Sequence, residues 1–408
     1  MQPLGAFEVC HKRTRAKVDA RLHRSARVLD CARTAERRTR RHRPADPLHL
    51  ELLIPALSWP GEHAADAMHA ADAPTLARWL SRATRDTAAS MQADRWLWQR
   101  FTARPAAGEA SGGGHPGDDG LPLAPVTLAL DGHAPGTRWW MRADPVHFIV
   151  GRTGLRLAPP GHLQLRADES DALAAALREH FPELAPDFLA PDPARWYLGA
   201  DRSFELTTTP PADAIGDDVD RNLPRGPGRR RWLGFLNEVQ MLWFEHPVNL
   251  ERERRGEPAV SGLWLHGAGL MPAPGRPGLD GASGGGKQLA GLATLAGCRW
   301  IDTGKGARDW LAQATGGSWL LSLDALVPPL QAGDAYGWRE ALAHLEADWF
   351  LPLDDALRSG RLASIVLHWP VQEGLAGARI AAWDRYRIWR RRRPLADLLA
   401  HAGGHPNA

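Results

Sequence analysis

Leu236-Asn237-Glu238-Val239-Gln240-Met241-Leu242-Trp243-Phe244-Glu245-His246-Pro247-Val248-Asn249, continuing through Arg252, Arg254 and Gly256 to Leu263-Trp264-Leu265-His266-Gly267-Ala268-Gly269, is the stretch whose reading decides the fold. Trp232, Phe235, Leu236, Val239, Leu242 and Trp243 recur at three- and four-residue spacing, which predicts a helix with one buried apolar face. Pro247 disfavours helical geometry at His246 and stops that helix. Asn249 is expected to cap the short helix that follows, and Gly256 to supply its exit. Val260 to Leu265 then reads as a strand feeding Gly267 and Gly269.

Working outward, Leu48-His49-Leu50-Glu51-Leu52-Leu53-Ile54 is an apolar run closed by Pro55, the pattern of a strand inside a sheet. Pro74 to Leu80 has helical spacing with Pro in a first turn. Trp319 to Leu323 and Leu362 to Leu367 are further buried strands, with an amphipathic helix from Trp338 to Leu357 between them. Strands alternating with helices predict an α/β fold with a mostly parallel sheet and flanking helices. Between 138 and 210, short strand-like pieces (Arg138 to Arg142, His147 to Val150, His162 to Leu165) surround one helix, Glu169 to His180, as in an inserted α+β subdomain. Residues 105–120 are rich in Gly and Pro and read as a flexible loop.

The chain has 408 residues, 44% of them hydrophobic, which is enough for a large core or several domains. No apolar run reaches the length of a membrane span, and Cys10, Cys31 and Cys298 are too scattered for a disulfide framework or a zinc site. A reducing cytoplasm is the expected location. The 18 Trp against 3 Tyr and 9 Phe fit a GC-rich coding bias and indicate no function. Charge is unevenly placed: residues 1–47 carry 13 Lys/Arg and 5 Asp/Glu, so the tail is +8 while the rest of the chain is −5. A polybasic tail with few apolar residues is expected to be a disordered appendage or sequence upstream of the true start.

Four signals compete for a functional meaning. Gly281-Ala282-Ser283-Gly284-Gly285-Gly286-Lys287-Gln288 is one residue short of a P-loop, has Gln288 where Mg²⁺ needs Ser or Thr, and follows a Pro-rich run, so it reads as a surface loop. His246, Asn249, Arg252, Arg254 and Arg255 read either as capping plus a solvated turn or as a pocket for a phosphate or carboxylate. Asp302, Asp324 and His368 follow strands, where ligands of open α/β sheets collect, although the two Asp serve equally as helix caps. Trp389-Arg390-Arg391-Arg392-Arg393-Pro394 is basic enough to touch nucleic acid or an acidic partner, but a short run at a chain end is usually just solvated.

Several motifs in order carry a resemblance: Arg142-Ala143-Asp144-Pro145-Val146-His147, Arg195-Trp196-Tyr197, the Leu236 to Asn249 stretch with Arg252 and Gly256, Leu263 to Gly269, and Trp389 to Leu395. From about Leu48 to Pro370 the chain resembles the archaeal-type cofactor-independent phosphoglycerate mutases of the alkaline phosphatase superfamily. It is closer still to the proteobacterial RpfE-type regulatory proteins. The resemblance implies an alkaline-phosphatase-like core from 48–135 and 260–400, an inserted cap at 136–259, and ligand-binding positions at Arg195, His246, Asn249 and Arg252.

The departures set the functional expectation. Such a mutase carries a metal-binding Asp after its first strand, where this chain has Pro55-Ala56-Leu57, and a nucleophilic Ser beside Asp, a pair absent from residues 85–140. Asp324 and Asp334 match later acidic positions, but Gln331 replaces a His and Leu367 precedes His368 where an Asp would. Two close metals need several anionic ligands. The expectation is therefore a catalytically degenerate, regulatory or ligand-sensing protein without a metal, with Asp324, Asp334 and His368 as the residual catalytic candidates. The alternative is a working mutase or phosphatase that uses a divalent metal. A phosphorylated small molecule is the expected ligand, the acidic body argues against nucleic acid, and no protein partner is indicated.

Overall fold

Leu48–Leu53 (β1) holds the middle of a seven-stranded sheet, as its unbroken apolar run requires. The structure is a computed structural model that describes residues 47–400 apart from 61–63, 70, 90, 104–120, 152–153, 372–373, 388 and 391–392. The basic tail expected over 1–47 and the loop expected over 105–120 therefore lie essentially outside the described residues. β1 pairs in parallel with Gly317–Ser322 (β11) on one side and Leu362–Val371 (β12) on the other, so Leu50 sits between Trp319 and Ile365. Gly281–Gly284 (β9) and Arg299–Trp300 (β10) extend the parallel part beyond β11. Gly374–Ala381 (β13) and Thr84–Ala89 (β2) close the other edge in antiparallel fashion.

Alternation along β1 divides the core. Leu48, Leu50, Leu52 and Ile54 pack with Trp79, Trp310, Trp338, Phe350 and Leu353 under one layer of helices. Leu53 packs on the opposite face with Leu97, Phe101, Val126, Leu289 and Leu320. Each such fully buried side chain stabilises by about 1.5–3 kcal/mol relative to exposure. The helix expected from Trp338 to Leu357 is two segments, Ala335–Leu345 and Leu351–Arg358, joined by a wider π-type turn at Glu346–Phe350. Pro352 has no N–H to give to the Asp348 carbonyl, so the regular ladder breaks there.

A smaller four-stranded sheet runs in the order Phe188–Asp192 (β6), Arg195–Ala200 (β7), Trp139–Val146 (β3) and Gly262–Gly269 (β8). A hairpin of Phe148–Val150 (β4) and Leu155–Leu157 (β5) stands beside it. Helices Ala167–His180 and Arg229–Phe244 cover the four-stranded sheet, and Leu173, Leu177, Trp196, Val239, Trp243 and Leu263 fill the interior. Two expectations change here. β8 pairs with β3, so residues expected to open the second core segment complete the inserted sheet instead. His162 to Leu165 is not a strand, because Pro159 and Pro160 start a helical turn at Pro160–Leu163 that ends on Gln164 at φ 44°.

Candidate functional site

The pocket expected around Arg252 is filled by the protein itself. Pro247 occupies the first helical position of Pro247–Arg254, so the cap falls on His246, whose Nδ1 accepts from the Val248 N–H at 3.2 Å. Asn249 therefore lies inside the helix and is buried. Its Nδ2 donates to the Trp243 and Val260 carbonyls at 2.8 and 3.0 Å, and its Oδ1 accepts from the Val260 N–H at 2.8 Å. Arg252 is 1% exposed. It donates to Pro258 O at 2.7 Å, to Glu169 Oε2 at 2.6 Å and to Leu163 O, so all three nitrogens are engaged. Arg195 is likewise engaged, bidentate to Asp131 at 2.9 and 2.8 Å, with Tyr197 Oη donating to the same carboxylate at 2.7 Å. Asn249, Arg252 and Arg195 are thus committed to partners within the protein.

Asp334 caps a helix, whereas Asp302, for which a helix cap was the competing expectation, closes a turn instead. Asp334 accepts from the Gly337 N–H at 2.9 Å and caps Ala335–Leu345, while Asp302 accepts from the Gly304 N–H at 3.0 Å in a turn. Asp324 follows the end of β11, and His368 lies within β12 level with Leu53 at the end of β1, on either side of that strand. Ser322 Oγ donates to Asp324 at 2.6 Å. His368 Nε2 is 3.7 Å from Glu51, which is held bidentate by Arg100 at 2.5 Å, and the His368 ring sits 4.8 Å from Trp96.

The glycine-rich segment read as a surface loop is instead β9 and the start of helix Gly286–Leu295. Its composition hid the strand, because close packing dictates it: a Cβ at Gly281 would overlap the Trp319 ring. Gly284, Gly285 and Gly286 then follow with φ of 71°, 66° and 59°, a left-handed run that a side chain strains. The first amides of the helix, at Gly286, Lys287 and Gln288, have no carbonyl four residues back. Opposite them is a residue that the motif search missed: Asp94, in the first turn of Ala93–Phe101. Asp94 is flanked by Gln288 and feels the charges of Asp324 and of Asp213, which lies on the short helix Pro211–Ala214 of the smaller unit. The only signal for it in sequence was an acidic residue opening an amphipathic helix. The Gln288 side chain faces this group, and its buried Nε2 points toward the Asp94 carboxyl.

Crowding by neighbouring groups raises the pKa of Asp94 even though its surface stays exposed, the Asp213 and Asp324 charges push the same way, and the Gln288 side chain opposes them. Burial raises Asp324, only partly offset by the Ser322 bond. Glu51 goes the other way: burial alone would raise it, but His368 and Arg100 together hold it below the usual carboxylate range. A carboxyl whose folded pKa exceeds its unfolded one costs no stability below the unfolded value and destabilises as pH climbs from the unfolded value to the folded one. Asp324→Asn keeps an acceptor for Ser322 and is expected to stabilise the protein at pH 7 by about 0.5–2 kcal/mol. The gain should disappear at about pH 2 to 3, below the unfolded carboxyl's pKa of about 3.9, where the wild-type carboxyl is protonated in both states. Urea unfolding at the two pH values measures this, and an equal gain at both would contradict the assignment.

The donor set does not fit the two-metal centre that the mutase resemblance implies. Among the described residues, no three His, Cys, Asp or Glu side chains converge as a metal-holding group. His368 is turned to Glu51, and Glu51 is spent on Arg100. Ala56, where a metal-binding Asp is implied, has φ 60°, and its carbonyl accepts from Trp338 Nε1 at 2.8 Å. What remains is the helix start at Gly286, Lys287 and Gln288 beside carboxyls whose pKa is raised. That arrangement suits an oxyanion better than a cation.

No family model matches the chain. It is 34% identical over 74 residues to the 2,3-bisphosphoglycerate-independent phosphoglycerate mutase of Methanosarcina acetivorans, covering 18% of this chain and 19% of that enzyme. It is 35% identical over 105 residues to the enzyme of the same description from Methanothrix thermoacetophila, covering 24% of this chain and 26% of that one. The chain thus matches about a quarter or less of the length of these curated relatives. Among solved structures, the cofactor-independent phosphoglycerate mutase from Thermoplasma acidophilum superposes with a TM-score of 0.36 at 16% identity, covering 82% of this chain and 90% of that one. The PH0037 protein from Pyrococcus horikoshii superposes with a TM-score of 0.46 at 12% identity, covering 83% and 87%. Over the matched stretch of sequence, the chain is related to the cofactor-independent phosphoglycerate mutases.

Proposed function

We propose that this chain is a phosphoglycerate-mutase-like protein of the RpfE type that has lost two-metal phosphoryl chemistry and senses a phosphorylated small molecule. The observation that carries the reading is the donor set at the strand ends: Asp94 feels the charges of Asp213 and Asp324, yet among the described residues no three His, Cys, Asp or Glu side chains converge closely enough to hold one metal ion, and a pair demands more. The same place supports ligand binding without chemistry. The amides at Gly286, Lys287 and Gln288 that open the helix are suited to phosphate oxygens, and a carboxyl whose pKa is raised repels an anion less than one at the ordinary value.

The test has two arms. Purified protein is loaded with Mn²⁺ or Zn²⁺, desalted and analysed for metal, then assayed for interconversion of 2- and 3-phosphoglycerate with Mn²⁺ present. The expected result is no stoichiometric metal and no interconversion. Two tightly held ions with turnover would overturn the reading in favour of an active mutase or phosphatase. In the second arm, thermal melting is followed with phosphoglycerates and phosphosugars. A ligand at 100 times its Kd should add about 2.7 kcal/mol of stability. If no phosphorylated metabolite moves the melting temperature, the sensing role fails.

A further inference from the structure

The arginine-rich segment near the carboxyl end has no part in the site above, yet the fold displays it in a defined way. Trp383, Tyr386 and Trp389 are 60%, 62% and 73% exposed, three large rings within seven residues. Contiguous exposure of this kind marks an interaction surface more often than a solvated one. The segment is not loosely attached. Asp384 is buried, accepts from the Ala381 N–H at 2.8 Å and pairs with Arg387 at 3.2 Å. Arg82 donates to the Arg385 carbonyl at 2.9 Å, Arg390 to the Ala83 carbonyl at 2.8 Å, and the Arg393 N–H to Ser81 Oγ at 3.3 Å. These bonds strap the segment across the end of helix Pro74–Arg82 through its backbone and guanidinium groups, leaving the rings outward.

Charge and stacking point to one class of partner. Residues 381–400 contain six Arg and two Asp, so this corner is cationic on a body that is acidic overall. Arg387 lies over the Trp383 ring and Arg385 over the Tyr386 ring, each 4.7 Å from the centroid. We propose that this arginine–aromatic surface binds single-stranded nucleic acid, with phosphates on the guanidinium groups and unpaired bases stacked on the rings. A single strand offers both anionic phosphates and free base faces, whereas a duplex hides its base faces and an acidic peptide offers charge alone. The acidic body argued against nucleic acid, but that argument rested on net charge, and this surface is local.

The experiment is fluorescence anisotropy of the full chain with a labelled single-stranded oligouridylate and oligothymidylate at low salt. Residues 1–47 are themselves basic, so binding alone proves nothing; the ring dependence does, because replacing a ring leaves charge unchanged. Trp383→Ala and Trp389→Ala are each expected to weaken binding by about 5- to 100-fold, with melting temperature unchanged. Arg385→Gln and Arg393→Gln should each lower the slope of log affinity against log salt by about 0.7. Affinity unmoved in the triple variant Trp383→Ala, Tyr386→Ala, Trp389→Ala would overturn the proposal, as would equal affinity for duplex DNA. A protein that binds phosphatidylserine vesicles but not the oligonucleotides would also overturn it and assign the surface to membranes.

Discussion

Glu169→Ala is expected to lower stability by about 3–5 kcal/mol, a large share of the about 5–15 kcal/mol that holds a typical domain together. Glu169 is a carboxylate with 5% exposure in the first turn of Ala167–His180. It accepts from the Arg166 N–H at 3.1 Å, closing the start of its helix, and takes Arg252 and Arg255 at 2.6 Å each. Removing it leaves Arg252 buried and charged with only the partly exposed Glu257 carboxylate at 3.5 Å, which costs more than the pair contributed. Replacing both partners by apolar groups, Glu169→Leu with Arg252→Met, should recover much of the loss, since neither charge is then stranded. Urea unfolding of wild type, the single variant and the double variant measures both effects. A single-variant loss below about 1 kcal/mol would show that the pair behaves as an ordinary surface ion pair.

That network explains why the site was only partly legible in sequence. The central sheet could be read because β1, β11 and β12 are apolar runs whose burial requires nothing unusual from their neighbours. Asp324 and His368 were found by a topological rule, that residues following parallel strands face the ligand side. Arg252 was misread because its partner lies 83 residues away, and nothing in the local pattern separates a guanidinium committed to a buried carboxylate from one awaiting phosphate. Asn249 was misread by a shorter margin. The proline that stops one helix also starts the next, which moves the cap back to His246. Asp94 was missed because its neighbours, Gln288, Asp324 and Asp213, come from three other parts of the chain. Buried pairing and convergence depend on tertiary contact, and a periodicity argument has no access to them.

The glycine run is where this matters most, and it yields the other large effect. Gly284 and Gly286 look interchangeable in sequence, and both have left-handed φ, 71° and 59°. Their surroundings differ. Gly284 ends β9 opposite Ser322, and a Cβ there would overlap the Ser322 carbonyl oxygen, a backbone atom that cannot rotate away. At Gly286 a Cβ meets nothing within 4 Å. Gly286→Ala should therefore cost only the left-handed penalty, about 1–2 kcal/mol, and should leave the helix amides where they are. Gly284→Ala must push β9 away from β11, and the loss is expected to reach about 4 kcal/mol or more. Because the Asp324–Ser322 contact and the helix-start amides share that strand end, any stabilisation by phosphorylated ligands should vanish in Gly284→Ala and persist in Gly286→Ala. Chemical denaturation and ligand-dependent melting of the two variants measure both parts. Equal losses at the two positions would mean that the run is held by its own conformation rather than by the neighbouring strand, and the strand-end site would lose its physical basis.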